Sequence, residues 1–315
     1  MISHDKTLAA AGLILIYATV IGYTDNYVRV IAADAGLWQF HASRTVMALV
    51  ILAALVPVLG LRLRPRSWRA VAARSTIHGT AMVIYFGALA FLPVAVVAAG
   101  LFTAPIFVLL ISRFVYGQAI GPVRIAAVAV GFVGVILVLG PEALSGTSLA
   151  AVLPVAAGAM YAMGNIATRQ WCAAESAETL LVGFFAALGV FGVLGIAALA
   201  LWPVSVPPGP EGFLLRGLVW PNAAFWWWTF VQAVGSLLAV GLMIRAYQIA
   251  DAGRVSVLEY VILPASAFWS WVVWSETLSW QAWIGMALII SAGSMIALRA
   301  RAQEVLPRGP AGEPL

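Results

Sequence analysis

Charge is what this sequence has least of. Only 9% of its 315 residues are Asp, Glu, Lys or Arg, against roughly 25% in soluble domains. Lysine occurs once, as Lys6, and cysteine once, as Cys172. So few ionisable groups cannot cover the surface of a soluble protein this long. A hydrophobic content of 63% and a mean hydropathy of +1.01 exclude a disordered chain. One cysteine permits no internal disulfide and says nothing of redox compartment. With Lys6 as the single lysine there is no G-x-x-x-x-G-K-[ST] loop, which excludes ATP hydrolysis by that route. H-E-x-x-H, G-x-S-x-G and C-x-x-C are all absent, and His4, His41 and His78 are not spaced as metal ligands. No metal site, no cofactor and no enzymatic activity are expected.

What the chain has is long apolar runs. A helix needs about 20 apolar residues to cross a bilayer. Ten segments qualify, at 8–27, 37–60, 70–92, 95–114, 123–139, 148–167, 179–202, 223–246, 255–274 and 280–298. The sequence therefore predicts an all-α integral membrane protein with ten transmembrane helices. The first run is too long for a secretory h-region, and its Lys6 is offset by Asp5, so it counts as a span. Most links are short, such as Pro93-Val94; the longer ones are 61–69 and the Pro/Gly-rich 203–221.

The net charge of +5 would suit nucleic acid, but in a membrane chain basic residues set topology. A cytoplasmic N-terminus leaves only Arg29 and Arg216 outside and Arg44 within a span. Trp38, Trp202, Trp220, Trp274 and Trp280 then form an outer aromatic belt, with Trp68 and Trp171 at inner ends. Both termini are expected in the cytoplasm, with 301–315 a disordered tail.

A weak internal repeat runs along the chain. At one constant offset Pro105 falls on Pro264, Ala126 on Gly285, Gly134 on Gly293, and the link 93–94 on 252–253. Five helices per half is an odd number, so the halves, 1–145 and 146–300, must insert with opposite orientation. Such inverted-topology repeats typify secondary transporters, with the substrate near the midplane. Pro105 and Pro264 are candidate kinks or hinges; the competing reading is that proline is simply common in membrane helices.

Ionisable residues inside spans need an account, because burial in hydrocarbon is costly. Arg44 lies roughly 10 Å into the second helix and Glu259 about 12 Å past Asp251, at 1.5 Å per residue. Two readings stand for Glu259: a partner of Arg245 or Arg254, or a gating or proton-coupling carboxylate. Arg44 either attracts a substrate carboxylate or anchors a helix end at the outer vestibule. Three helix faces carry polar and aromatic stripes: His78, Met82 and Tyr85; Tyr161, Asn165 and Thr168; Trp228, Gln232 and Gly235. In a bilayer their polar atoms must face protein or a water-filled cavity. Aromatic walls with a few hydrogen-bonding groups suit an amphipathic small molecule. Interhelical hydrogen bonding alone is the other reading of these faces. Gly189, Gly192 and Gly195 read as a close-packing helix face.

The chain resembles the drug/metabolite transporter superfamily in its EamA-type exporter branch. The resemblance rests on Ala246-Tyr-Gln-Ile-Ala-Asp-Ala-Gly-Arg-Val-Ser-Val-Leu-Glu-Tyr-Val-Ile-Leu-Pro264, then Glu276, Gly285 and Gly293. The first half answers with Ala88-Leu-Ala-Phe-Leu-Pro93, Pro105, Gly131 and Gly134, and with Arg44. It departs at Gly117-Gln118, where the family usually has an acidic residue. The resemblance covers almost the whole chain, and the aromatic and neutral amino-acid exporters are its nearest branch. It implies a secondary or facilitative exporter of such metabolites in the bacterial inner membrane, working by alternating access. Its partners are then a small-molecule substrate and the lipid bilayer, with no nucleic acid. Efflux of drugs, cations or nucleotide sugars is the second transporter reading, and a receptor or scaffold that moves nothing is the alternative of another class.

Overall fold

The computed structural model describes residues 6–88, 92, 94–144, 150 and 152–305, among which all regular structure is helical. Pro93 lies outside them. Thirteen α-helices follow one another: α1 Thr7–Asp25, α2 Val28–Asp34, α3 Leu37–Leu59, α4 Trp68–Ala88, α5 Val94–Leu101, α6 Ala104–Phe114, α7 Pro122–Leu139, α8 Val152–Gln170, α9 Ala177–Leu201, α10 Ala223–Ile249, α11 Ala252–Leu258, α12 Ile262–Trp274 and α13 Trp280–Val305. Eight helical stretches are long and apolar enough to cross a membrane. The two sequence-expected spans outside that set, α4 and α8, are 21 and 19 residues long. They carry the buried polar residues of the interior, which lowers their hydropathy without shortening them.

Three expected spans are interrupted. The first bends at Asn26 and Tyr27 and continues as α2 to Asp34. The fourth breaks at Phe102 and Thr103, where the Thr103 hydroxyl donates to the Gly100 carbonyl at 2.6 Å. The ninth tightens into a 3-10 turn over Glu259–Val261. Pro105 and Pro264 each stand in the first turn of the helix that resumes. Proline is tolerated there because no intrahelical N–H is needed. Two helix starts, those of α9 and α10, are capped by side chains, with Ser176 accepting from Thr179 N and Asn222 from Phe225 N, both at 3.1 Å.

The helices pack in matched combinations. α1 lies against α10 and α12, as α8 lies against α4 and the α5–α6 pair; α3 packs on α9, and α7 on α13. Small residues permit the closest crossings. A Cβ on Gly134 would come within 2.7 Å of the Gly285 carbonyl oxygen, and one on Gly192 within 2.8 Å of the α3 backbone. Gly189 and Gly195 face Thr45 and Trp38 on the same seam. Large apolar side chains such as Val50, Val58, Phe114, Val193 and Leu298 are exposed around the outside. An apolar surface this extensive belongs in lipid.

The two ends differ in chemistry. The basic end gathers Lys6, Arg62, Arg64, Arg66, Arg69, Arg124 and Arg254. At the opposite, aromatic end, the 203–221 connection is pinned to the helices. Arg216 donates to the Ala32 and Ala35 carbonyls at 2.8 and 3.2 Å, Trp38 to the Leu214 carbonyl at 2.9 Å, and Gln39 pairs both ways with Val219. One expectation is corrected here. α13 runs on to Val305, so the start of the supposed disordered tail at 301–315 is helical, its Arg, Ala, Gln and Glu being good helix formers; residues 306–315 lie outside those described. Arg74 is fully buried between α4 and α8, its Nε donating to Thr168 Oγ1 at 2.9 Å.

Candidate functional site

The polar residues of the interior fall into two layers. The first surrounds Glu259 at the 3-10 interruption, where 5% of the residue is exposed. Tyr161 of α8 donates to its Oε1 at 2.9 Å and Tyr247 of α10 to its Oε2 at 2.7 Å. The same Tyr161 hydroxyl is 3.1 Å from Met243 Sδ. His78 of α4 meets the Tyr161 ring edge-on, centroids 4.7 Å apart, and the Phe184 ring at 5.3 Å. Asn165 is 1% exposed and its amide lies against the Tyr247 hydroxyl without a well-formed hydrogen bond, and His78 Nδ1 has no partner among the described residues. Buried polar atoms are nearly always satisfied. Polar groups without a good partner this close to a buried carboxylate make the Glu259 layer a candidate binding site.

The second layer is nearer the aromatic end. Asp25 of α1 is exposed although it sits within a span. Gln232 of α10 donates to its Oδ1 at 3.0 Å, and Ser236 in turn donates to Gln232 Oε1 at 3.3 Å. Arg44 is 7% exposed, contacts His41 Nδ1 at 3.3 Å, lies 4.8 Å from the Phe40 ring centroid, and is close enough to Asp25 for Coulombic attraction. Above them Tyr27 stacks on Trp228, centroids 3.4 Å apart and planes 11° from parallel. Tyr27 also contacts Tyr23 and Trp274. Arg29 packs over Trp274 at 4.2 Å and pairs with Glu276 at 2.9 Å. Glu276 lies in the link between α12 and α13. The Ser270 hydroxyl and the Arg29 guanidinium hold its carboxyl below the ordinary carboxylate range.

The layers are separated along the helices that carry both. Gln232 and Met243 are eleven residues apart on α10, about 16 Å, and Tyr17, whose hydroxyl meets that of Tyr161, is eight residues from Asp25 on α1, about 12 Å. The sequence-derived candidates thus divide. His78, Tyr161, Asn165 and Glu259 come together, drawn from both halves of the chain. Trp228, Gln232 and Arg44 belong to the other layer, with half-buried Tyr85. Met82 packs against the main apolar core. Glu259 pairs with neither arginine considered for it: Arg245 is exposed, and Arg254 donates to Thr7 Oγ1 at 3.1 Å. Among the described residues its partners are the two tyrosines. Tyr247, Tyr17 and Asp25 were not singled out from sequence. Asp25 carried the signal that marked Arg44 and Glu259, an ionisable group within an apolar run.

Residues 8–140 match the EamA-like transporter family. That stretch takes in α1 to α7, hence both halves of the first interrupted helix pair and all of the seam residues Gly131 and Gly134. Relatives extend the likeness into the second half. A "Riboflavin transporter" of Rhizobium johnstonii is 28% identical over 73% of this chain and 70% of its own length. A second protein of that name, from Brucella anthropi, is 26% identical over 81% and 84%. The "Pseudopaline exporter CntI" of Pseudomonas aeruginosa is 26% identical over 71% and 70%. A solved crystal structure superposes with a TM-score of 0.71, covering 94% of this chain and 98% of that one at 21% identity, a likeness of fold. The chain is thus similar to EamA-like transporters over its first half and, at under 30% identity, to proteins named as transporters over most of its length. The relatives' names do not single out amino-acid export.

Proposed function

We propose that this chain is a secondary transporter exporting small amphipathic metabolites across the bacterial inner membrane by alternating access, with both termini cytoplasmic. In this reading residues 1–145 and 146–300 are the inverted repeats. The matched packing of α1 with α10 and α12, and of α8 with α4 and α5–α6, supports it. So do the paired interruptions before Pro105 and Pro264.

The observation that carries the proposal is Glu259: a buried carboxylate at a helix break, held by hydroxyls from two other helices and, among the described residues, by no cation. A carboxylate kept only for stability is best paired with a cation or replaced by an apolar residue. One that must gain and lose a proton, or release a cargo's donor group, needs exchangeable partners such as tyrosines. Asp25 and Gln232 form the entrance layer, and the cargo passes between the layers as the halves rock.

The cargo class is neutral and aromatic, amino acids first. The aromatic walls of the Tyr27–Trp228 layer, with the Gln232 amide and the Asp25 carboxylate in the same layer, suit an apolar ring with polar ends. A second reading, a flavin, is favoured by the near-parallel Tyr27–Trp228 pair, since a wide planar ring system inserts well beside stacked rings, and by relatives named riboflavin transporters. Counterflow in proteoliposomes separates the two. Vesicles preloaded with unlabelled tryptophan should accumulate labelled tryptophan and not labelled riboflavin. Accumulation of riboflavin alone moves the assignment to flavins, and no counterflow with either removes the proposed cargo class.

A further inference from the structure

At the basic end a cavity of about 190 Å³ is lined by Ala119, Gly121, Arg124, Arg254, Ile296 and Arg299. Its three arginines come from three helices, α7, α11 and α13. A carboxylate beside them is Asp251, 3.0 Å from Arg124, and Arg254 also donates to Thr7 Oγ1 at 3.1 Å. Topology alone asks for arginines near this face; it does not ask them to converge on one cavity. The planar guanidinium fork matches phosphate oxygens. Basic pockets between transmembrane helices are suited to anionic headgroups.

A second feature adjoins it. An apolar groove of about 770 Å³ runs between α6 and α7, walled by Leu110, Phe114, Ile125, Phe132 and Val133. Ala119 lines both the groove and the basic cavity. Arg113 lines the groove as well. A cationic chamber continuous with an apolar channel on the outer surface has the two-part chemistry of a phospholipid. We infer that this is a binding site for one anionic phospholipid, its phosphate among Arg124, Arg254 and Arg299 and an acyl chain along the α6–α7 groove. Nothing in this site overlaps the Glu259 or Asp25 layers, so the inference stands apart from the cargo assignment.

Native mass spectrometry of the full chain released from detergent tests it, with phosphatidylglycerol and phosphatidylcholine as probes. One phosphatidylglycerol should be retained and phosphatidylcholine lost. Arg299→Gln should weaken retention about ten-fold, while Arg64→Gln on the 60–67 connection leaves it unchanged. Arg299 is exposed at the rim, so this variant keeps the Arg124–Asp251 pair and the fold. Ala129→Trp, which fills the groove with every arginine intact, should also weaken retention. Equal retention of both lipids overturns the site, as does wild-type retention by Arg299→Gln. Thermal stabilisation by inorganic phosphate at matched ionic strength, with no lipid retained, overturns the lipid assignment in favour of a soluble anion.

Discussion

The two carboxylates of the interior are treated in opposite ways. Glu259 is buried, sits on an interrupted helix and is gripped by two phenolic hydroxyls. Asp25 is exposed, sits just before the bend that ends α1, and is met by one amide, with Arg44 at Coulombic range. The Asp25 carboxyl is accessible yet deep in the protein, so its charge keeps more contact with water than that of Glu259 but still carries a desolvation cost. A charge at Glu259 has only its two donors in place of water, so its protonation must be linked to what those tyrosines do. In the proposed reading this difference gives coupling to the Glu259 layer and recruitment to the Asp25 layer.

The largest expected effect comes from removing both donors to Glu259. Tyr161→Phe with Tyr247→Phe should slow transport more than the two single changes combined imply, because each single variant leaves one donor. A hydrogen bond to a charged group contributes about 1.5–3 kcal/mol, and a double-mutant cycle on transport rate reads the coupling. Additive effects would dissociate the two tyrosines. Next is Asp25→Asn, which keeps an acceptor for Gln232 and removes the charge. It should raise KM several-fold and leave the pH profile of transport in place; a shifted profile would move the coupling role to Asp25. Trp228→Ala removes the ring stacked on Tyr27 and should weaken cargo binding about three-fold, within the ~0.5–1.5 kcal/mol of an aromatic pair. Unchanged binding would take the stack off the transport path.

The smallest effect belongs to the link between α12 and α13. The Glu276 carboxyl is held below its ordinary range, so its stabilising contribution is full above the unfolded value and fades as pH falls through the folded one. Both members of the Arg29–Glu276 pair are about half exposed. Glu276→Gln should therefore change stability by less than about 1 kcal/mol at neutral pH, as surface pairs do. Thermal unfolding at pH 7 and at acid pH checks both the size and the sign.

Most of the helical plan was legible in the hydropathy alone, since long apolar runs leave one structural solution in a bilayer. The spans at α4 and α8 were harder, because Arg74, His78, Tyr161, Asn165 and Thr168 face protein and make them read as polar. Their stripes were legible at helical spacing, and His78, Tyr161 and Asn165 do meet Glu259. The division into two layers was not legible, because depth depends on how far each helix is shifted along its neighbours. The interruptions were half legible: Pro105 and Pro264 mark where a helix resumes, not where it stops. The Tyr247–Glu259 contact is made by the tight turn between α10 and α11, which folds residues twelve apart back onto one another. Asp25 was legible and passed over, standing at the polar edge of the first apolar run.

The most direct test of the division of labour is Glu259→Gln in proteoliposomes, measured two ways with labelled tryptophan. If the Glu259 layer carries the coupling proton, uptake driven by a pH gradient should be abolished while counterflow between equal pools continues near the wild-type rate. Loss of both activities together with a lowered unfolding temperature would contradict the account and leave Glu259 a structural partner of Tyr161 and Tyr247.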